Sequence, residues 1–191
     1  MKVYFTAPPR TLRDFGPQIK KIYKLIGGFG YELVSDFIVK VNPDKYYRNS
    51  QTEMVKYYQE TMAAIKKADI VVVEVTVPSM AMGYVIDKAK DLSKAVVILH
   101  LKARQPLFFS AIADDRIQMV EYTLPTLEKV LKPALEYAAD KIDTRFNFFI
   151  SPKIGNYLSW IAKKRKLPRA VYLRRLIEAD MEKNSEYSKS E

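Results

Sequence analysis

Runs of consecutive apolar residues constrain most strongly what this chain can fold into. The segment Ile70-Val71-Val72-Val73 is apolar at every position, whereas a half-exposed antiparallel strand would alternate apolar and polar residues. Such a run is typical of a parallel strand that is buried on both faces of a sheet. Five segments have the length and composition of strands: Lys2–Thr6, Glu32–Val39, Ile70–Thr76, Ala95–Leu101 and Ile117–Tyr122.

Segments with helical periodicity lie between these strands. One helix is predicted from the apolar stripe Ile19, Ile22 and Ile26, and another from the stripe Val55, Tyr58, Met62 and Ile65. Two more are predicted over Ala81–Leu92 and Pro125–Ile142. The alternation predicts an α/β domain with a five-stranded, doubly wound parallel sheet of Rossmann or flavodoxin type. Its ligand crevice is expected at the carboxyl ends of the strands. The segment Val41–Ser50 breaks the pattern, either as a loop near that crevice or as a surface connection.

Composition excludes several classes of site. The chain has no cysteine and a single histidine, His100, so disulfides, thiol nucleophiles and His/Cys metal clusters are ruled out. No motif indicates a cofactor. The apolar run after Met1 is too short for the core of a signal peptide, and no uncharged apolar stretch has the length of a membrane span. We therefore expect a cytoplasmic protein without a membrane partner.

Positive charge is concentrated at the C-terminal end. The formal net charge is +10, and the segment from Arg145 to Glu191 has 11 Lys and Arg against 5 Asp and Glu. About a quarter of the chain thus has more than half of the excess charge. Such a segment favours a polyanionic partner, above all nucleic acid.

The residues of this basic segment follow a strand–helix–turn–helix pattern. Arg145–Ile150 alternates as a strand, Ser151 and Pro152 suit the start of a helix, and Leu167-Pro168 interrupts the helical pattern. A second helix is predicted from Arg169 to about Lys183. The apolar faces are assigned to Ile154, Leu158, Ile161 and Ala162 in the first helix, and to Leu173, Leu176, Ile177 and Met181 in the second.

This pattern resembles the ribbon-helix-helix domain of Arc/MetJ type, in which two chains pair their strands into a ribbon for the major groove of DNA. The resemblance implies a homodimer or a higher even oligomer, because one strand and two short helices bury too little surface alone. Where the family often has Ser or Thr at the start of the second helix, this chain has Pro168-Arg169-Ala170. The implied DNA contacts are Arg145, Asn147 and Phe149 to bases and Lys163, Lys164 and Arg169 to phosphates.

The predicted organisation is therefore an α/β domain over residues 1–143, a dimerisation and DNA-binding module over 144–184, and a flexible tail over 185–191. Aromatic residues of the module have two interpretations. Tyr157 and Trp160 fit the amphipathic pattern of a dimer core better than they fit stacking on bases.

A second set of residues lies along the α/β domain. Lys2-Val3-Tyr4-Phe5 is followed by Arg10 and Arg13, and the third strand opens with Asp69 and ends in Glu-x-Thr-x-Pro-Ser before Gly83-Tyr84. The stretch Phe109-Ser110-Ala111-Ile112 completes the set. Together they resemble the nucleoside 2-deoxyribosyltransferase superfamily, in particular its 2′-deoxynucleoside 5′-phosphate N-hydrolase branch.

That resemblance implies cleavage of the bond between a base and deoxyribose, with two carboxyl groups at the reacting centre. It assigns Asp69 to the base side and Tyr4 to positioning. It assigns the ligand contacts to Arg10, Ser79, Gly83 and Ser110, with Ser110 reaching in from a neighbouring subunit. Arg and hydroxyl donors suit a 5′-phosphate.

The chain departs from this family at the nucleophile. Val85 occupies the position of the family's glutamate, Pro8 replaces a serine of the phosphate loop, and Ala81-Met82-Gly83 replaces Gly-Val-Gly. Valine can neither attack nor stabilise a cation, and a substitute would have to be Asp87 or Glu74.

Three functions follow from these residues. The preferred one is a DNA-binding, nucleotide-sensing regulator with an inactive N-glycosidase-like domain, and a deoxynucleoside monophosphate or related nucleotide is its candidate ligand. The alternative is an active deoxynucleoside 5′-monophosphate N-hydrolase or deoxyribosyltransferase in which the C-terminal module only holds the dimer together. In the third, the α/β domain binds no ligand and is a dimerisation scaffold.

Overall fold

The computed structural model describes residues 1–112, 114–142 and 149–184. The chain divides into two compact units, Met1–Asp143 and Thr144–Glu191. Most of the predicted strand Arg145–Ile150 and the whole predicted tail 185–191 lie outside the described residues. Within the described ranges, no helix combines the length and the apolarity needed to cross a membrane.

A parallel sheet forms the centre of the first unit. Its strands are β1 (Lys2–Thr6), β2 (Glu32–Leu33), β3 (Ile70–Glu74), β4 (Ala95–Leu101) and β5 (Ile117–Tyr122). They lie in the order β2-β1-β3-β4-β5, and every neighbouring pair is parallel. The continuous apolar runs allow this arrangement, because all five residues of β3 are buried. The predicted five-stranded, doubly wound parallel sheet is confirmed.

Helices cover both faces of the sheet. They are α1 (Thr11–Gly28), α2 (Phe37–Lys40), α3 (Pro43–Tyr46), α4 (Gln51–Lys67), α5 (Met80–Asp91) and α6 (Leu127–Asp140), with a 3₁₀ turn at Leu107–Ala111. One apolar core packs α1 and α6 against Val3, Phe5 and Val72. The other packs α4 and α5 against Tyr4 and Val71. Successive residues of each strand therefore face different helix layers.

The second strand is shorter than its sequence predicts. Glu32–Val39 is predicted as one strand, but β2 ends at Leu33 and Phe37–Lys40 forms the helical turn α2. Ser35 Oγ accepts a hydrogen bond from the Phe37 N–H at 3.2 Å, which starts the turn. Ile38 of this helical turn lies in the core. The strand prediction failed here because a short apolar run fits a buried strand and a buried helix equally well.

The predicted stripe of α4 is buried only in its second half. Val55 is 50% exposed and Tyr58 is 49% exposed, whereas Ile65 is fully buried. The cause is length: 17 helical residues span about 26 Å, but five strand residues span about 17 Å. Because α4 ends close to the start of β3, its first two turns project beyond the carboxyl edge of the sheet.

Over residues 149–184, the second unit contains two helices, α7 (Pro152–Arg165) and α8 (Arg169–Lys183), joined by a three-residue turn. Ser151 caps α7 by accepting a hydrogen bond from the Ile154 N–H at 3.4 Å, and Pro152 is the first helical residue. Among its described residues, Leu158, Ile161 and Tyr172 are buried, and Leu173 is partly buried against them.

The apolar face predicted for α8 is largely uncovered within this unit. Leu176, Ile177 and Met181 are 48%, 61% and 40% exposed, and Tyr172 is buried instead. In the same way, Ile154 of α7 is exposed. Two helices alone offer each other only one strip of surface, so they cannot cover a wider apolar face.

Candidate functional site

The order of the strands determines where a ligand site is expected. The chain leaves β1 towards β2 on one side and continues from β3 towards β4 and β5 on the other, so the order reverses between β1 and β3. Crevices for ligands lie outside the carboxyl ends of strands at such a point. The loops after β1 and β3 meet there, and the Arg10 guanidinium donates to the Pro78 carbonyl oxygen between them.

A cavity of about 350 Å³ opens beside Val85, between the projecting turns of α4 and the start of α5. We call it the Val85 cavity. Its lining contains four Tyr, four Met and three other uncharged residues: Tyr46, Tyr57, Tyr58, Tyr84, Met54, Met62, Met80, Met82, Thr61, Ala81 and Val85. Tyr46 belongs to α3, so the segment that interrupts the predicted pattern contributes to this site. No Asp, Glu, His, Lys or Arg of the described chain lines it.

A second cavity, of about 380 Å³, includes Tyr4 and shares Tyr57 and Thr61 with the first. We call it the Tyr4 cavity. Burial raises the pKa of both Tyr4 and Tyr57, so these phenols stay neutral near pH 7. The carboxylates of Asp36 and Glu60 line this cavity too.

Both of these carboxylates already face a lysine. Asp36 is paired with Lys40, and Glu60 lies 3.9 Å from Lys56. Asp36 and Glu60 are therefore candidate groups for acid–base chemistry in the Tyr4 cavity.

Asp69 lies at the amino edge of the sheet, opposite the crevice at the carboxyl ends of the strands. It immediately precedes β3, its carboxylate accepts a hydrogen bond from the Lys2 N–H at 2.7 Å, and its own N–H donates to the Lys2 carbonyl at 2.8 Å. Asp69 lines neither the Val85 cavity nor the Tyr4 cavity. The structure brings Tyr4 and Val85 into one apolar cluster and leaves Asp69 as a residue that fixes the start of the strand.

The two substitute carboxylates do not reach Val85 either. Asp87 lines a separate cavity with Lys90 and Phe108. Glu74 ends β3 on the face covered by α1 and α6, where its Oε1 accepts hydrogen bonds from the Thr76 hydroxyl and from the Tyr122 hydroxyl. Its Oε2 is buried without a hydrogen-bond partner in the described part of the chain.

This buried carboxyl predicts a pH dependence of stability. Burial raises the pKa of Glu74 in the folded protein, although hydrogen bonds from Thr76 and Tyr122 act in the other direction. The unfolded chain, with a glutamate pKa of about 4.3, then releases the proton first, so Glu74 destabilises the fold increasingly as the pH rises above that value.

We therefore expect Glu74→Gln to raise the urea midpoint of unfolding at pH 7–8 and to have little effect near pH 4. Urea unfolding of both proteins across this range is the measurement. Glu121→Gln is the matched control, because Glu121 is an exposed carboxylate of β5. A midpoint difference that is constant from pH 4 to 8 would contradict the assignment.

The predicted phosphate ligands are only partly gathered. Ser79 shares a cavity of about 420 Å³ with Arg104, Thr76 and Pro78, and neither Arg10 nor Ser110 lines it. Ser110 donates its hydroxyl to the Leu107 carbonyl at 2.6 Å, and Gly83 faces the ring of Phe109. A phosphate would have to displace the Leu107 carbonyl from the hydroxyl of Ser110, which has a single hydrogen to donate.

Sequence reasoning missed Arg104, although a signal was present. Arg104 follows β4, whose carboxyl end lies at the same edge of the sheet as the switch point. Its guanidinium lies 5.5 Å from the centre of the Phe15 ring. Nowhere among the described residues is a group of three or more His, Asp or Glu side chains arranged to hold a metal ion.

The second unit presents the predicted DNA-contacting residues in different ways. Arg145 and Asn147 lie outside the described residues, and Phe149 is fully exposed. Lys163, Lys164 and Arg169 are exposed around the turn between α7 and α8. The Lys164 ammonium lies 4.8 Å from the centre of the Trp160 ring. Tyr157 and Trp160 are themselves about half exposed in this unit.

No protein-family model matches this chain, and no curated protein sequence matches it either. Among solved structures, the chain is similar to a CMP N-glycosidase from Clostridium botulinum, with a TM-score of 0.48 and 18% sequence identity. The alignment covers 71% of this chain and 98% of the glycosidase. A likeness at this level establishes neither a family nor an activity for the chain.

Proposed function

We propose that this protein is a dimeric DNA-binding regulator whose α/β domain no longer catalyses N-glycoside cleavage. One observation carries the proposal: from Lys153 to Arg175 the chain has eight Lys or Arg and no acidic residue. Those around the turn between α7 and α8, Lys163 to Lys166 and Arg169, are all exposed. A cationic surface of this kind suits the phosphates of DNA.

Helix stability does not account for the distribution of charge along α8, although it does favour the basic residues in the last turn of α7. The positive end of a helix dipole is its N-terminus, where acidic residues are stabilising. Helix α8 instead begins with Arg169 and has no acidic residue in its first turn, while Glu178, Asp180 and Glu182 lie in its second half. The reversed arrangement makes the start of α8 strongly cationic, which favours binding of an anion.

The turn before α8 supports the same proposal. Lys166 adopts a left-handed conformation with φ 53° and ψ 40°, and it ends α7 while its N–H donates to the Lys163 carbonyl at 3.3 Å. Glycine would take this conformation without steric cost, whereas a residue with a Cβ costs about 1–2 kcal/mol. A lysine at this place adds a cation at the expense of stability.

The exposed apolar face of α8 supports a dimer. Leu176, Ile177 and Met181 are exposed within the second unit, together with Ile154 of α7. Pairing with the same face of a second chain would remove this apolar surface from water, at about 25 cal/mol for each Å² buried. Two chains would then present two copies of the basic turn to DNA.

Loss of catalysis is supported by the Val85 cavity, which no carboxylate of the described chain lines. A cationic transition state at that place would have no anionic partner. The competing function, an active N-hydrolase, draws on the carboxylates of Asp36 and Glu60 in the Tyr4 cavity. In the proposed regulator, the α/β domain instead senses a small molecule.

Gel retardation with genomic DNA fragments at low salt tests the proposal. We expect the full-length protein to retard DNA and a protein truncated after Asp143 to lose this binding, since the basic turn is then absent. Circular dichroism of the truncated form shows whether its α/β domain has folded. Absence of retardation by the full-length protein, or equal retardation by a folded truncated form, would refute DNA binding through this unit.

A further inference from the structure

The chemistry of the Val85 cavity points to a ligand class different from a nucleotide. Its volume of about 350 Å³ is within the range of small-molecule sites, roughly 300–1,000 Å³. Eight of its lining residues are Tyr or Met, and none is charged. Tyrosine rings provide flat apolar walls, and methionine side chains adapt to the shape of a ring and contact it through a polarizable sulfur.

The polar groups of the cavity are all neutral. The hydroxyls of Tyr58 and Tyr84 lie 2.9 Å apart and bond to each other, and the phenol of Tyr57 is hydrogen-bonded to the Thr61 side chain. Burial raises the pKa of Tyr57, and the hydrogen bond between Tyr84 and Tyr58 raises that of Tyr84. These phenols therefore stay protonated at neutral pH.

A charged ligand would find no counter-charge in these walls. The ammonium of Lys88 lies 5.6 Å from the centre of the Tyr84 ring, but it is bound to the Asp91 carboxylate at 2.6 Å. Moving a phosphate from water into surroundings without a partner is strongly unfavourable. An uncharged ligand avoids this cost and gains from burial of its apolar surface.

We propose that the Val85 cavity binds an uncharged, flat aromatic or heteroaromatic molecule in preference to nucleoside phosphates, and its role as the effector rests on the proposed regulator function. The ligand would lie between the projecting turns of α4 and the first turns of α5. It would thereby join two helices whose apolar side chains are otherwise exposed there, namely Met54 and Tyr58 of α4 and Met80 and Tyr84 of α5.

Fluorescence titration of the full-length protein with 1-aminoanthracene, which is uncharged at neutral pH, tests the ligand class. We expect saturable binding of one probe per chain that millimolar dCMP, dGMP or dAMP does not displace. Ala81→Trp fills the cavity from an exposed position, and Met54→Asp adds a charge to its wall. Each substitution is expected to weaken binding of the probe at least about tenfold.

Leu92→Trp is the matched control, because Leu92 is exposed just after α5 and outside the cavity. It should bind the probe as the unmodified protein does. Unaltered affinity in both folded cavity variants, no saturable binding, or displacement by a nucleotide would overturn the proposal. DNA retardation by the same preparation separates a failure of the ligand proposal from a failure of the regulator proposal. Absence of probe binding with DNA binding intact refutes the ligand class, and probe binding without DNA binding refutes the regulator.

Discussion

Combined replacement of Lys163, Lys164 and Arg169 by alanine is expected to reduce the affinity of the full-length protein for DNA about a thousandfold or more near 0.1 M salt. In a dimer, the variant removes six cations around the two basic turns. Each phosphate contact contributes about 0.9 to the slope of log affinity against log salt concentration, because it releases condensed counterions. The slope should therefore become shallower by about 5.

The measurement is fluorescence anisotropy with labelled DNA at four or more salt concentrations. Lys183→Ala is the control: it removes one cation from the last turn of α8, beside the acidic residues, and should leave the slope unchanged. An unchanged slope in the triple variant would exclude these residues as phosphate contacts.

Base recognition predicts a different effect in the same assay. Asn147→Ala, at a position outside the described residues, is expected to cost roughly 1–3 kcal/mol on the preferred site and to relax sequence choice. Arg169→Ala alone should weaken binding to all sequences alike.

We also expect the protein to release no free base from deoxynucleoside 5′-monophosphates above a buffer control. Enzymes accelerate their reactions by about 10⁶-fold or more, so even a weak activity would be evident by liquid chromatography after prolonged incubation. The physical reason is the Val85 cavity, where the described chain offers no carboxylate to stabilise a developing cation or to attack it. At most a trace is expected from Val85→Glu, because Pro8 occupies the position at which the resemblance noted in the sequence implies a phosphate-loop serine.

Three substitutions would identify the catalytic carboxylate if base release were observed. If base release is observed and Glu60→Gln or Asp36→Asn abolishes it, the Tyr4 cavity is an active site and the loss of catalysis is refuted. If Asp69→Asn abolishes it instead, the role implied by the family resemblance is restored despite the position of Asp69 at the amino edge of the sheet.

The sheet was predictable because four of its five strands have a clear pattern in the sequence, and the second strand is the exception. Ala95–Leu101 and Ile117–Tyr122 were predicted with the observed bounds, and the continuous apolar run of β3 indicated burial on both faces. The run Phe37-Ile38-Val39 was not assigned correctly, because apolarity alone does not distinguish a buried strand from a buried helical turn.

The site was less predictable, because it depends on which edge of the sheet each residue lies at and on how far each helix extends beyond that edge. Asp69 precedes Ile70, so the predicted parallel sheet already places it at the amino edge, and the structure confirms that this position is remote from the switch point. The stripe of α4 is continuous in the sequence, and the excess length of the helix over the strands decides that Val55 and Tyr58 are half exposed and do not lie in the core.

The sequence by itself determined the alternation of strands and helices, the Val85 substitution and the uneven charge, because each depends on residue type and local spacing. Tertiary structure decided which side chains share a cavity. It brought Tyr57, Thr61 and Met82 to Val85 from two helices, and it left Asp69, Glu74 and Asp87 elsewhere. The physical reason is that a parallel sheet orders residues by strand direction and by face, and neither follows from proximity in the chain.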